Sequence, residues 1–204
     1  MATLVIGGHS RSVGKTSLVV GLIRALPRHW TAIKITQYGH GICSADGMPC
    51  DCVTNDHASA IMEERDRSGD TDTSRFLIAG AERVLWVRTR QGYLAEAMPR
   101  LRKELGDAQD VIIESNSIMK FLRPDLYLTV LDYATADFKA SARNFLDLAS
   151  AVILHDTASN VFPAWEGVSL RLIAGKPTFH ISPPEYVTPG IIEFVRQHLT
   201  VSAD

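Results

Sequence analysis

Residues 3–26 read TLVI, then GGHSRSVGKTS, then LVVGLIRAL: an apolar run, a turn holding three glycines, and a segment with apolar residues at helical spacing. A buried strand that turns at once into a helix places the helix N-terminus, with its unpaired N–H groups, at the strand's carboxyl end. Backbone donors and the positive end of the helix dipole then form a cradle for phosphate. Gly14-Lys15-Thr16 completes it: Lys15 is a mobile cation for the β and γ phosphates, and the Thr16 hydroxyl is a ligand for Mg²⁺. The usual spacing G-x-x-x-x-G-K-[ST] would need a glycine at position 9, where the chain has His9. Counted from Gly8 to Gly14, the loop is one residue longer and encloses His9, Ser10, Arg11, Ser12 and Val13. Gly8 to Ser17 is therefore the candidate nucleotide-binding segment. His9 and Arg11 become candidates for contact with the γ-phosphate or a partner.

The rest of the chain repeats the alternation of short apolar runs with helical segments, which implies an α/β domain with a mostly parallel sheet. Expected strands are Thr3–Ile6, Thr31–Thr36, Arg83–Arg88, Val111–Glu114, Leu126–Leu131, Ala151–Leu154 and Thr178–Ile181. Expected helices are Lys15–Ala25, Thr73–Ala79, Leu94–Leu105, Lys139–Leu148 and Pro189–His198, the first ended by Pro27 and the third by Gly106. The 204 residues fit one domain, 1–204, with an insertion at about 39–69 that lacks a clean period apart from a short helical candidate, His57–Arg65. A second irregular stretch runs from Asp156 to Gly167.

Charge and composition exclude several classes. With 21 Lys+Arg against 23 Asp+Glu and no basic tract, nucleic acid is not an expected partner. No apolar stretch approaches the ~20 residues that span a bilayer, so no membrane segment is expected. The start of the chain shows no signal-peptide pattern, and a cytoplasmic location is the expectation.

Three further segments carry chemistry. In AIKITQYGHG (32–41), Lys34 and His40 lie near the carboxyl end of the second strand, the side of an α/β sheet that faces ligands. In DTSRFLIAGAERVLWV (72–87), Asp72 is a candidate N-cap, Gly80 a candidate C-cap, and Asp72 and Arg75 can pair along one helix edge. DVIIESNS (110–117) is an apolar strand ending in Glu114, placed to hold Mg²⁺ directly or through water, or to orient an attacking water. Ser115, Asn116 and Ser117 add polar groups able to touch phosphate or water. Lys15, Lys34 and Glu114 are the catalytic candidates, and Thr16 and Glu114 the Mg²⁺ ligands. Asp156, in ILHDTAS (153–159), could accept from a guanine edge or cap a loop. His155 and His180 follow apolar strands, where a satisfied, half-buried histidine is expected.

Two resemblances narrow the reading. The five-residue loop resembles that of dethiobiotin synthetase and related amide-forming P-loop enzymes. Lys34, the GHG turn and the segment Asp72, Arg75, Ala79-Gly80-Ala81 together resemble proteins of the MobB type, which assist molybdopterin-guanine dinucleotide biosynthesis. Both groups tend to have Val-Glu-Gly where this chain has Glu114-Ser115-Asn116. The resemblance implies a three-layer P-loop NTPase fold with helices flanking a mostly parallel sheet. It also implies Mg²⁺-dependent binding and slow hydrolysis of GTP or ATP, and a role in cofactor maturation with a biosynthetic protein partner. Many proteins of this class form dimers across the nucleotide, so a homodimer is a further expectation. The alternative is an ATP-dependent ligase or kinase of the dethiobiotin synthetase type.

The chain's three cysteines all fall in the insertion, as Cys43, Cys50 and Cys52, with His57 close behind. Three thiolates and an imidazole suit Zn²⁺, with an iron–sulfur cluster or transferred nickel as lesser options, although C-x-C is not a zinc-ribbon spacing. Free cysteines in a loop are the plain alternative. A metallochaperone NTPase, with this lobe as carrier and hydrolysis as release switch, is a third functional class.

Overall fold

A computed structural model describes residues 1–38, 59–156, 163 and 165–199. The phosphate-loop strand β1 (Ala2–Gly8) leads into α1 (Lys15–Ala25). After β2 (Trp30–Tyr38) come β3 (Ser59–Glu63), α2 (Asp72–Ala79), β4 (Arg83–Arg90), α3 (Leu94–Glu104) and β5 (Asp110–Glu114). The second half holds β6 (Leu126–Leu131), the one-turn α4 (Ala140–Arg143), β7 (Ala151–His155), β8 (Thr178–Ile181) and α5 (Pro189–Leu199). Among the described residues the strands form one sheet in the order β3-β4-β2-β5-β1-β6-β7-β8. All neighbours run parallel except β3, which lies antiparallel on β4.

Strands covered on both faces need continuous apolar runs, and the central strands have them. In β1, Leu4 and Ile6 pack on the face covered by α1, α2 and α5, while Val5 points into the opposite layer with α3. β6 repeats this, with Leu126, Leu128 and Val130 on the first face and Tyr127 on the second. The result is helix, sheet, helix in three layers. β1 lies between β5 and β6, so the phosphate loop emerges beside the carboxyl ends of both. No helix among the described residues is long and apolar enough to cross a membrane.

Three local expectations are corrected. The helical candidate His57–Arg65 contains the strand β3, where pairing with β4 outweighs the helix propensity of its alanine, methionine and glutamate. Lys139–Leu148 is only α4 and a 3₁₀ turn, Leu146–Leu148, since Lys139 is extended and its N–H donates to the His9 carbonyl. The N-cap of α2 is Thr71, not Asp72: its hydroxyl accepts from the Ser74 N–H, and the Ser74 hydroxyl closes the capping box with the Thr71 backbone. Gly80 ends α2 in the left-handed region, at φ 111°, as a C-cap glycine should.

Thr71→Ala removes the cap acceptor and should destabilise the protein by about 1 kcal/mol. Thermal unfolding checks it: the midpoint should fall by about 2–4 °C for a chain of this size. An unchanged midpoint would mean that tertiary packing alone holds the start of α2.

Candidate functional site

The loop between β1 and α1 turns through two left-handed residues, Ser12 at φ 56° and Gly14 at φ 86°. Alternating handedness of this kind points successive N–H groups toward one side. Gly14 is required twice over, because a Cβ there would also lie 2.0 Å from the ring of Tyr186. The helix start has no side-chain cap and no acidic residue in its first turn, so no side chain of α1 occupies its N–H groups. The Lys15 ammonium crosses the loop to the Ser10 carbonyl at 2.6 Å. Burial, against the pull of Glu114, lowers its pKa from 10.5 to about 8.

The structure brings Lys15, Thr16, Lys34 and Glu114 together from three elements. The Thr16 hydroxyl donates to one Glu114 carboxylate oxygen at 2.9 Å, and Lys34 donates to the other at 3.0 Å. Lys34 also binds Asp72, whose second oxygen lies 3.7 Å from Arg75, and Arg75 reaches the Ser17 hydroxyl at 3.4 Å. Burial works against the charge on Lys34, but Glu114 and Asp72 outweigh it and raise its pKa. The chain Thr16, Glu114, Lys34, Asp72, Arg75, Ser17 thus borders one side of the cradle. A hydroxyl and a carboxylate at the head of a helix are hard oxygen donors of the kind Mg²⁺ takes, so Thr16 and Glu114 fit that ion.

Other expected contacts turn out differently. His9 is fully buried, its ring packed at a tilt against Phe138 and Trp165. Its Nδ1–H donates to the Asp137 carbonyl at 2.8 Å and its Nε2 accepts the Asp132 N–H at 3.1 Å. With both nitrogens engaged inside the protein, this ring is not a γ-phosphate contact. The Ser10 hydroxyl donates to the Asp137 carboxylate at 2.7 Å, whereas Arg11 and Ser12 are exposed at the loop tip. Asn116, expected to face phosphate or water, instead binds the backbone of Gly8: its amide donates to the Gly8 carbonyl at 2.8 Å and accepts the Gly8 N–H at 2.9 Å. Ser115 accepts the Ile118 N–H, and Ser117 donates to Gln37. Asp156 is exposed, 3.8 Å from His180. Cys43, Cys50, Cys52, His57 and His40 lie outside the described residues.

Several residues that the motifs did not point to hold the loop. His155 donates through Nε2 to the Val13 carbonyl at 2.9 Å, and Tyr186 packs edge-on to His155 while covering Gly14. The sequence signal for Asn116 was its amide, which can pair with a peptide group on both sides. His155 is the satisfied, half-buried histidine expected after an apolar strand, while for Asp137 and Tyr186 no local pattern exists.

Two outcomes test this anchoring. Asn116→Ala leaves a buried peptide without its donor and acceptor and should cost on the order of 2–3 kcal/mol in urea unfolding; a midpoint like the wild type's would remove Asn116 as an anchor. Burial lowers the His9 pKa below 6.5. The unfolded chain then binds a proton near pH 6.5 that the folded chain resists, so stability falls as pH drops through and below that value. His9→Asn should flatten this part of the profile, and an unchanged slope would refute the assignment.

No protein-family model matches the sequence, and no curated protein is significantly similar to it. Among solved structures, HypB from Helicobacter pylori in complex with nickel is similar over 100% of this chain and 92% of its own, with a TM-score of 0.50 and 14% identity. LpxK from Aquifex aeolicus, in complex with ATP, gives 0.48 and 18%, covering 88% of this chain; this chain spans about half of it, 53%. MobB from Bacillus subtilis gives 0.42 and 15%, over 99% of this chain and 100% of its own. The sheet order, the loop after β1 and the likeness to HypB show that the chain has the three-layer fold of P-loop NTPases.

Proposed function

We propose that this protein binds a nucleoside triphosphate with Mg²⁺ at the loop Gly8–Ser17 and hydrolyses it slowly. The observation that carries the reading is the hydrogen bond from Thr16 to Glu114. It joins the head of α1 to the end of β5, the strand next to β1, with Lys34 bonded to the same carboxylate and Lys15 within its electrostatic reach.

The loop amides and the N-terminus of α1 hold the phosphates, and Lys15 exchanges its Ser10 carbonyl for a phosphate oxygen. Thr16 and Glu114 would hold Mg²⁺, which would supply charge neutralisation on the phosphates. Lys34 is kept charged by Asp72 and Glu114 and stands ready for the charge that develops on the transferring phosphoryl group. Glu114, 6% exposed, orients the attacking water from the strand end. Support for a MobB-like role in cofactor maturation comes from the sequence segment Asp72 to Ala81, whose Asp72 and Arg75 border the cradle. GTP and ATP are both candidate nucleotides.

Titration with fluorescent Mg·ATP and Mg·GTP analogues tests the site. Lys15→Ala should weaken binding by about tenfold or more. Glu114→Gln should lower phosphate release by roughly a hundredfold. Unchanged affinity in the Lys15 variant would overturn the assignment of the loop.

A further inference from the structure

Lys139 has no part in the chemistry above, yet five hydrogen bonds hold its segment on the phosphate loop. The His9 N–H donates to Val130 at 3.2 Å, and the Lys139 N–H donates to the His9 carbonyl at 2.8 Å. The two His9 ring contacts, with Asp132 and Asp137, and the Ser10 bond to Asp137 supply the other three. A segment tied at 130, 132, 137 and 139 fixes the point from which the Lys139 side chain starts. That point lies on the β6 side of β1, whereas Lys34 stands across the loop on β2.

The charge around it is unbalanced. Lys34 has two carboxylates and Lys15 has the Ser10 carbonyl, but the half-buried Lys139 ammonium has no hydrogen-bond or ion-pair partner among the described residues. The carboxylate nearest in sequence, Asp137, already accepts from Ser10. Burial and then the Arg11 guanidinium disfavour its charge, Asp137 and Glu114 favour it, and Lys34 disfavours it. Cations gathered without partners of their own are relieved by an anion placed among them. Glu114 and Lys34, which feel the charge of Lys139, are the residues set for the metal and the transferring phosphoryl group.

We propose that Lys139 is a second phosphate-contacting cation, reaching the terminal phosphate of a bound nucleoside triphosphate from the β6 side of the cradle. The inference rests on the nucleotide reading above. It makes the segment after β6 a sensor of the third phosphate, since a diphosphate leaves Lys139 without its contact.

Calorimetric titration of the full chain with Mg·AMP-PNP, Mg·GMP-PNP, Mg·ADP and Mg·GDP tests it. Lys139→Met should lose about tenfold or more in affinity for the triphosphate analogue that the wild type binds, with diphosphate affinity within about twofold. Lys139→Arg should recover most of the loss. If the methionine variant does not fold, Lys139→Gln, of similar length and uncharged, carries the same expectation. An equal loss on triphosphate and diphosphate, or no loss on either, overturns the Lys139 assignment alone. A wild type that binds none of the four ligands overturns the nucleotide reading itself, and this inference with it.

Discussion

The side-chain amide of Asn116 lies against the peptide of Gly8 as though it were one more residue of β5, and the geometry of the cradle depends on that pairing. The β1–β5 ladder ends where Ile6 faces Glu114, and the Ser115 N–H makes the last main-chain bond to Ile6. There the backbone leaves for a 3₁₀ turn, Ser117–Lys120, and the amide continues the pairing in its place. β5 is thereby held beside the loop to its tip, which aims Glu114 at Thr16. The close approach needs Gly7: a Cβ there would stand 2.3 Å from the Asn116 oxygen and 2.5 Å from the Tyr127 hydroxyl.

Two further anchors grip the loop from other directions. His9 and Ser10 are bound to the segment after β6, while His155 and Tyr186 hold Val13 and Gly14 from the β7 and β8 side. A loop fixed at its start, its first half and its last turn presents its donors without reorganisation, the condition under which backbone dipoles stabilise charge most effectively. Lys34 meets the same requirement by another route. It is held between Asp72 and Glu114, so its position is set before any ligand arrives.

What the sequence revealed follows from how local each feature is. The span Lys15–Ala25 was legible to the residue, because apolar spacing and Pro27 act within a few positions. The carboxyl-terminal carboxylate of β5 was legible for the same reason, since a strand that ends in Glu114 has few places to put it. β3 was not, because Ser59–Glu63 has no alternation of its own and becomes a strand only through β4. Asp72 and Thr71 are both good capping residues, and the reciprocal bond from Ser74 decides between them. Asp137 and Lys139 lie more than a hundred residues from the loop that they touch, in a stretch with no motif.

The longer loop shows why counting residues in a motif is not counting contacts. Five residues separate Gly8 from Gly14, which suggested one more group for phosphate. The structure turns the first of them away from the cradle and into the protein: the His9 ring enters the aromatic cluster of Phe138 and Trp165, and its backbone joins Val130 and Lys139. Its N–H and carbonyl are therefore not available to the cradle, and the next side chain, Ser10, is bound to Asp137. The extra length allows the loop to be fastened to the neighbouring segment before it turns over the helix start. The lengthened spacing thus reports an additional anchor, and any added cation comes from the segment to which the loop is anchored.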